Sequence, residues 1–260
     1  MKGLSSAVST PNRRHRGWVL PGAAVALWWL AASQGWSESP LLVAPDQVLS
    51  TAWAELSSGR LTRALSASLA RDLSGFVMGT VGGLLLGALL GLSAWAQRLL
   101  APSFNTFKQV SLFAWIPLIS VWFGLGDLAK VVFLSLAALV PVAVNTADGL
   151  RKVPPTLLEV ARVYGYTPWQ TLTQVRLPAA LPSIFTGLYL GLIYAWLATI
   201  GAEYLLVSGE GIGNALIDGS EHFRMDQVLF GMLVIGLVGW ALNACARLAE
   251  VRLARRFGHL

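Results

Sequence analysis

Residues that could perform chemistry are sparse in this sequence, and none forms a known catalytic motif. The chain has no GxxxxGK sequence followed by Ser or Thr for nucleotide phosphates, no HExxH zinc motif and no GxSxG nucleophile motif. Its histidines, His15, His222 and His259, lie in tails or a loop without a metal-ligand constellation. The single cysteine, Cys245, excludes an intramolecular disulfide and a cysteine-based metal site. We expect no catalytic residue, no metal site and no cofactor held by this chain.

The most prominent polar stretch, EVARVYGYTPWQTLTQVRLP at residues 159–178, carries the local signals of a short helix. Thr156 and Glu159 have capping-box spacing, which predicts that a helix starts there. Gly165 suits the left-handed residue that ends a helix. Because so short a helix is only marginally stable alone, the stretch implies a partner surface.

A second helix is predicted directly after it. Thr167 and Gln170 repeat the capping-box spacing, and Pro168 takes the first-turn position where a missing N–H does no harm. Pro178 and Pro182 are expected to end this helix and start the next apolar segment. Composition alone also fits a loop resting on lipid headgroups. A DNA-binding helix-turn-helix is disfavoured since a basic recognition face is missing, so no nucleic-acid partner is expected.

The elements that must position this stretch are apolar. Hydrophobic residues make up 55% of the chain and charged residues only 12%, with a mean hydropathy of +0.61, whereas soluble domains have about 25% charged residues. The predicted fold is an all-α polytopic membrane protein with six transmembrane helices. The predicted spans are 18–36, 73–95, 104–123, 130–147, 182–206 and 228–248. The first is longer than the apolar core of a cleaved signal peptide.

The connecting segments complete the predicted organisation. We expect a basic tail (1–17) before the first span and an extracytoplasmic segment (37–72) after it. These are followed by a core of five membrane helices (73–248), with a polar loop at 148–181, and by a second tail (249–260). Within the extracytoplasmic segment, residues 56–71 form an amphipathic portion that could lie along the interface. Pro117 and Pro141 should kink or interrupt the third and fourth spans.

The distribution of charge predicts the orientation. Of the 19 Lys and Arg residues, fourteen fall in the two tails, in loop 96–108 and in loop 148–181, and five fall on the opposite face. Because an excess of Lys and Arg marks cytoplasmic loops, both termini and the polar loop are predicted to be cytoplasmic. Loop 96–108 contributes Arg98 and Lys108 to the cytoplasmic total.

The second predicted span carries a glycine at every fourth position. These are Gly75, Gly79, Gly83, Gly87 and Gly91. Small residues at this spacing let two membrane helices approach closely. Both a sliding surface and static close packing fit the pattern.

A few residues near membrane depth are candidates for a solute pathway. Glu203, at the outer end of the fifth span, is either a functional carboxylate or an interfacial one. Trp115 and Trp196 could line a pathway, although tryptophans in spans more often pack or anchor. The GEGIG sequence at 209–213 lacks phosphate-loop spacing and is interpreted as an extracytoplasmic turn.

The polar stretch also resembles a known family pattern. Glu159-Val160-Ala161, three residues, Gly165, nine residues, Val175, one residue and Leu177-Pro178 resemble the EAA loop of ABC importer permeases. The sequence departs from that pattern at Val160 and Val175, both still apolar. WIPLISVWFGLGDLAKVVF, PVAVNTADGLRKV and GLYLGLIYAWLATIGAE extend the resemblance to the nitrate/sulfonate/taurine branch, over about residues 65–245.

The resemblance implies a type I permease fold whose loop forms coupling helices for a separate cytoplasmic ATPase. The residues that would make or adjoin this contact are Glu159, Ala161, Tyr164, Gly165, Tyr166, Trp169, Leu177 and Pro178. It further implies that ATP and magnesium are bound by the partner, that a substrate-binding protein lies outside, and that a second permease subunit, expected to be a copy of this chain in a homodimer, completes the complex. The expected location is the bacterial inner membrane, in contact with lipid.

Two other classes of function are kept as alternatives. A stand-alone secondary carrier or channel should show paired repeats or several ionisable residues within its spans, and neither is evident in the sequence. A membrane-embedded enzyme would need clustered His, Asp or Glu residues near one interface, which are also missing from the sequence.

Overall fold

The computed structural model describes residues 16–34, 42–206 and 209–256, and these residues form helices, turns and short links without any β-strand. The helices are α1 (Arg16–Ser33), α2 (Pro45–Ser57), α3 (Arg60–Leu92), α4 (Ala94–Phe107), α5 (Ile116–Phe123), α6 (Asp127–Arg151), α7 (Pro155–Val163), α8 (Pro168–Gln170), α9 (Leu177–Leu205), α10 (Ile212–Glu221) and α11 (Met225–Arg256). A 3₁₀ turn, Leu112–Trp115, precedes α5, and a π-helical segment, Thr171–Arg176, joins α8 to α9.

Four helical stretches in the described ranges are long and apolar enough to cross a membrane. They are Arg60–Leu92, Asp127–Arg151, Pro168–Leu205 and Met225–Arg252. Helix α4 and the Leu112–Phe123 helix form a bent pair at 94°, which would be a fifth span. The apolar part of α1, Gly22–Ser33, is shorter than a span, and the end of the predicted first span lies outside the described residues. The all-α membrane class is confirmed.

The second predicted span differs from the structure at both ends. Helix α3 begins at Arg60 rather than at residue 73, because Gly59 adopts the left-handed conformation at φ 71° and separates α2 from α3. The predicted amphipathic portion 56–71 is therefore divided between two helices. At the other end, Ser93 is extended and its hydroxyl accepts a hydrogen bond from the Ala96 N–H, which starts α4. Trp95 belongs to α4.

The third predicted span is not one continuous helix. The chain leaves the helical conformation after Phe107 and resumes it only at Leu112. The polar residues Lys108, Gln109 and Ser111 lie at this break. Pro117, which has no N–H for a continuous α-helix, occupies the first turn of α5. In contrast, Pro141 lies inside α6 without ending it. Lys108, predicted in a loop, lies instead between the two halves of the bent pair.

The polar stretch also departs from two predictions. Helix α7 begins at Pro155 with Pro154 as its N-cap and no side-chain cap, so the predicted role of Thr156 is wrong. Pro155 at the first helical position removes one of the N–H groups that a cap would satisfy. Pro178 and Pro182 do not end the second helix. The π-helical segment makes bonds from residue i to i−5, such as Leu177 N–H to Leu172 O, and the helix continues through both prolines.

The core is built around α6, which packs against α3 on one side and α9 on the other. Along α3, the five glycines at four-residue spacing face α6. A Cβ atom added to Gly83 would stand 2.8 Å from Val142 Cβ, and one added to Gly87 would stand 2.6 Å from Thr146 Cβ. Such separations are too short for a side chain, so glycine permits this helix contact. Buried apolar residues of α5, α6 and α9, including Ile119, Phe133 and Ala202, fill one end of the core.

Candidate functional site: a loop surface and an open cavity

The loop at residues 152–178 is held by backbone capping at two turns. The N–H groups of Gly165 and Tyr166 donate to Arg162 O and Ala161 O, with Gly165 at φ 70°. This is the Schellman arrangement that ends a helix at a left-handed glycine, so the predicted ending is confirmed. The predicted second capping box is also confirmed.

In that box, the Thr167 hydroxyl accepts from the Gln170 N–H at 3.2 Å, and the Gln170 side chain accepts from the Thr167 N–H at 2.8 Å. Pro168 occupies the first helical position, as predicted. The two reciprocal bonds fix the direction in which the chain leaves the loop and enters the long α9 segment.

The loop presents large apolar side chains outward. Val163 is 86% exposed, Tyr164 76% and Trp169 71%, whereas Ala161 is buried. Glu159 is also exposed, and Leu177 is partly so. A groove of about 340 Å³ separates α7 from the start of the α9 segment, lined by residues that include Tyr166 and Pro178. An exposed apolar patch of this kind marks an interaction surface.

A second feature is a cavity of about 620 Å³ beside the break between α4 and α5. Its lining residues are Phe107, Lys108, Gln109, Val110, Ser111, Leu112, Phe113, Trp115, Leu136, Ala137, Val140, Pro141, Val144, Asn145, Leu190, Tyr194, Leu197 and Ala198. The volume lies within the range of about 300–1,000 Å³ that is usual for small-molecule sites. The cavity could hold a small solute between α4, α6 and α9.

The three pathway candidates from the sequence occupy different places. Trp115 lines the cavity and its ring lies 5.1 Å from that of Phe107. Trp196 is buried and packs with Ile212 and Val234, and its indole N–H donates to Ile235 O at 3.3 Å. Glu203 is 1% exposed and lies outside the cavity lining.

Glu203 instead belongs to a buried polar cluster between α3, α9 and α10. Its Oε1 accepts from Ser68 Oγ at 2.7 Å and pairs with Arg71 Nη2 at 2.6 Å. Its Oε2 accepts from the Gly213 N–H at 2.7 Å, at the first turn of α10. A carboxylate is favoured there because the first N–H groups of a helix have no intrahelical partner and carry partial positive charge.

The two glycines that flank Ile212 in the GEGIG segment are required because Glu203 lies very close to the backbone there. A Cβ atom at Gly211 would stand 2.5 Å from the Glu203 carboxyl, and one at Gly213 would stand 2.8 Å from Glu203 Cβ. The sequence indicated a turn here but gave no sign of its partner. The glycine spacing and the lone acidic residue in the fifth span were the only available signals.

Arg71 joins further segments to the cluster. Its Nη1 pairs with Asp127 Oδ1 at 2.9 Å, and its Nη2 also donates to the Glu210 carbonyl oxygen. The adjacent Asp72 is fully buried, and its Oδ1 accepts from Thr199 Oγ1 at 3.2 Å. Ser68, Arg71 and Asp72 were not predicted as site residues, because the predicted span began after them.

The fold, the loop and the cavity together describe a helical membrane subunit with an exposed loop surface at one end and a solute-sized open cavity between α4, α6 and α9. Residues 79–259 match the family model of binding-protein-dependent transport system inner membrane components. The chain belongs to this family, and it is therefore a membrane-embedded permease subunit of an ABC importer. The resemblance found in the sequence is confirmed.

Curated relatives agree with this assignment. The chain is 38% identical over 233 residues to the putative aliphatic sulfonates transport permease protein SsuC of Escherichia coli (strain K12), covering 90% of this chain and 88% of SsuC. It is 30% identical over 250 residues to the taurine transport system permease protein TauC of the same organism, covering 91% and 87%. It is 34% identical over 180 residues to the nitrate import permease protein NrtB of Leptolyngbya laminosa, covering 69% and 64%.

The fold is shared with a solved importer structure. A chain of the MetNI methionine ABC transporter in an inward-facing conformation aligns with a TM-score of 0.61, covering 76% of this chain and 95% of that one. The sequence identity over this alignment is 23%, so the likeness shows the fold alone.

Proposed function

We propose that this subunit forms the pathway of an ATP-driven importer for a small sulfonate, taurine or nitrate-like solute. A separate ATPase would bind ATP and magnesium and dock on the loop surface, a substrate-binding protein would deliver the solute from outside, and a second permease subunit would complete the pathway. The relatives named for sulfonate, taurine and nitrate transport support this range of substrates.

The observation that carries the proposal is the exposed apolar loop surface on a rigidly capped turn. Tyr164 and Trp169 have no buried environment within the described chain, although aromatic side chains contribute most when desolvated at interfaces. The loop follows α6 directly and leads without interruption into α9. A force on this surface would therefore reach two helices that line the open cavity. This arrangement suits a two-state element biased by a partner.

The proposed orientation places the loop surface and both termini in the cytoplasm of the bacterial inner membrane. The excess of Lys and Arg on that face supports it. Arg151, Lys152, Arg162 and Arg176 lie in or beside the loop. The Arg71 cluster would then lie near the external face.

Substitution of Gly165 tests the proposed coupling. We expect Gly165→Asp to abolish ATP-driven uptake while the protein remains in the membrane, because Gly165 is at φ 70° with no neighbouring atom within 4 Å of an added Cβ atom. A non-glycine residue costs about 1–2 kcal/mol in this conformation, and the side chain would project into the space that the ATPase must occupy. Uptake and ATP hydrolysis are measured in proteoliposomes that contain the whole importer.

Gly59→Asp is a matched control. Gly59 is also left-handed, at φ 71°, and an added Cβ would meet only Arg63 Nη1 at 3.7 Å, but it lies in the turn between α2 and α3, far from the loop along the chain. We expect this variant to retain ATP-driven uptake. Normal uptake by Gly165→Asp would contradict the proposed coupling surface, and uptake without any nucleotide would favour a secondary carrier.

A further inference from the structure

We propose that Lys108 binds the anionic group of the transported solute and that the surrounding cavity accepts an apolar body attached to it. The proposal rests on the proposed import function, and it assigns a specific residue and a narrower solute class to the pathway. The solute would be an organic anion with one charged group, rather than a small inorganic anion.

The position of Lys108 is the first argument. Lys108 follows the 14-residue helix α4 and precedes the Leu112–Phe123 helix, so it lies between the halves of the bent pair. If that pair is one span, the ammonium group is near the middle of the membrane. A charged side chain at such depth is unfavourable unless it faces a partner, a cavity or water, and it therefore indicates a functional site.

The second argument is that the Lys108 ammonium group is available. It forms no ion pair or hydrogen bond with any side chain that the structure describes, whereas Lys152 pairs with Asp148 at 2.8 Å. The side chain of Lys108 is exposed and contributes to the wall of the cavity. No Asp, Glu or Arg lines this cavity among the described residues. An anion would therefore meet one positive charge and no competing carboxylate.

The third argument is the remaining wall. Gln109 and Ser111, beside Lys108, can donate hydrogen bonds to anionic oxygens. The wall from α6 and α9 is mostly apolar, with Leu136, Val140, Val144, Leu190 and Leu197 among its lining residues, and its polar groups belong to Asn145 and Tyr194. A nitrate-sized ion would leave most of this apolar surface without contact. An anion with a short hydrocarbon chain would use both the charge and the apolar wall.

The test uses the whole importer with its own ATPase and binding protein, in proteoliposomes and in a Cys245→Ser background. With 1-butanesulfonate as the probe, we expect Lys108→Cys to lower ATP-driven import about tenfold to a hundredfold, as expected for loss of a charged hydrogen bond. Treatment with 2-aminoethyl methanethiosulfonate, which attaches a positively charged group of lysine-like length, should restore most of the import. Methyl methanethiosulfonate, which is neutral, should not.

Arg98→Cys, in the helix α4 that Lys108 follows, is the matched control. It also removes one positive charge, but Arg98 is exposed and does not line the cavity. We expect it to import 1-butanesulfonate at the unsubstituted rate and to be indifferent to either reagent. In addition, 1-butanesulfonate should slow labelling of the thiol in Lys108→Cys and leave labelling of the thiol in Arg98→Cys unchanged.

The possible failures are distinguishable. If the unsubstituted complex imports no sulfonate, taurine or nitrate in the presence of ATP, the proposed function is wrong. Normal import by Lys108→Cys, or a loss that the positively charged reagent does not reverse, overturns the inference while import stands. If anionic lipid, and not 1-butanesulfonate, slows labelling of the thiol in Lys108→Cys, then Lys108 contacts lipid and the inference is wrong. If the importer transports nitrate and excludes 1-butanesulfonate, the assignment of an apolar body to the solute is wrong.

Discussion

At the residue scale, Arg71 connects parts of the chain that are distant in sequence. One guanidinium binds Asp127 at the start of α6, Glu203 near the end of α9 and the Glu210 carbonyl before α10. Arginine suits this role because its donors form a fixed planar fork and it stays charged when buried. The desolvated carboxylate of Glu203 is compensated by Arg71, Ser68 and the Gly213 N–H together. Removing Glu203 takes one partner from each of these groups, although Arg71 keeps Asp127 and the Glu210 carbonyl oxygen.

We predict that Glu203→Ala destabilises the folded protein by about 3–5 kcal/mol, the usual effect of removing one partner from a buried ion pair. Reversible unfolding in detergent micelles measures this change. As a control, Lys152→Ala breaks the pair with Asp148, whose side chains are 75% and 44% exposed, and it should cost at most about 1 kcal/mol. Equal stability changes for the two variants would show that the Glu203 cluster does not stabilise the fold.

The sequence could indicate Glu203 but not its surroundings. An acidic residue near membrane depth is visible in one sequence, whereas its partner Arg71 lies 132 positions away. Pairing at that separation depends on how α3 and α9 pack, which local spacing does not reveal. The loop residues were more predictable because the Gly165 turn and the Thr167–Gln170 box form from neighbouring residues.

At the scale of elements, the contact between α3 and α6 depends on the absence of side chains along one face. Gly75, Gly79, Gly83, Gly87 and Gly91 all approach backbone or Cβ atoms of α6. Each glycine would weaken an isolated helix relative to alanine by up to about 1 kcal/mol. Close packing along α6 offsets that loss, since membrane helices associate mainly through van der Waals contact and interhelical hydrogen bonds.

We predict that Gly83→Ala lowers stability by about 1–3 kcal/mol through overpacking against Val142. The added Cβ would stand 2.8 Å from Val142 Cβ and 2.9 Å from the Leu139 carbonyl oxygen. Gly236→Ala in α11 is the control, because nothing lies within 4 Å of its added Cβ, and the higher helix propensity of alanine should make it neutral or stabilising. Thermal unfolding of both variants in detergent measures the difference, and a stabilised Gly83→Ala would contradict the close contact.

The sequence predicted the helical class and the glycine face, but it located helix breaks poorly. Proline has two outcomes in this chain, because Pro141 is accommodated inside α6 while Pro117 follows an actual break. Similarly, the helix passes through Pro178, which closely follows the π-helical segment, and through Pro182 inside α9. Whether a proline ends a helix depends on what else satisfies the freed carbonyl groups, and neighbouring helices determine that.

At the scale of the whole molecule, the described helices leave extensive apolar surface uncovered. The outer face of α11 includes exposed Leu233, Leu237 and Trp240, and that of α3 includes Val81 and Leu85. Lipid or further subunits must cover such surfaces, because a soluble protein rarely exposes contiguous apolar area of this extent. This is consistent with the expected second permease subunit and with a membrane environment.

We predict that the two ends of the bundle face opposite sides of the membrane. In a Cys245→Ser background, the thiol of Asp218→Cys should react with a membrane-impermeant reagent in intact cells, whereas that of Lys152→Cys should react only after permeabilisation. Both parent side chains are well exposed, at 68% and 75%. The reverse pattern would contradict the proposed orientation.

An epitope at the N-terminus tests the number of spans in the same experiment. Protection of the epitope in intact cells is expected if α1 crosses the membrane, as the six-span prediction requires. Accessibility from outside would mean that five spans precede the C-terminus and that α1 remains on the external face. The charge bias of the first residues favours protection.

The glycine-lined contact has a mechanical consequence. Because α3 and α6 contact each other at backbone distance along their length, no side chains separate them, and we expect the two helices to move as one rigid unit. A displacement of α6 at Arg151, beside the loop, would then move its other end at Asp127 by a similar amount. We therefore expect a conformational change to occur at a break between helices, and residues 108–111 form one such non-helical break. We expect the outward-open and inward-open conformations to differ chiefly in the orientation of α4 and α5 relative to α3 and α6. This difference would change the shape of the cavity around Lys108.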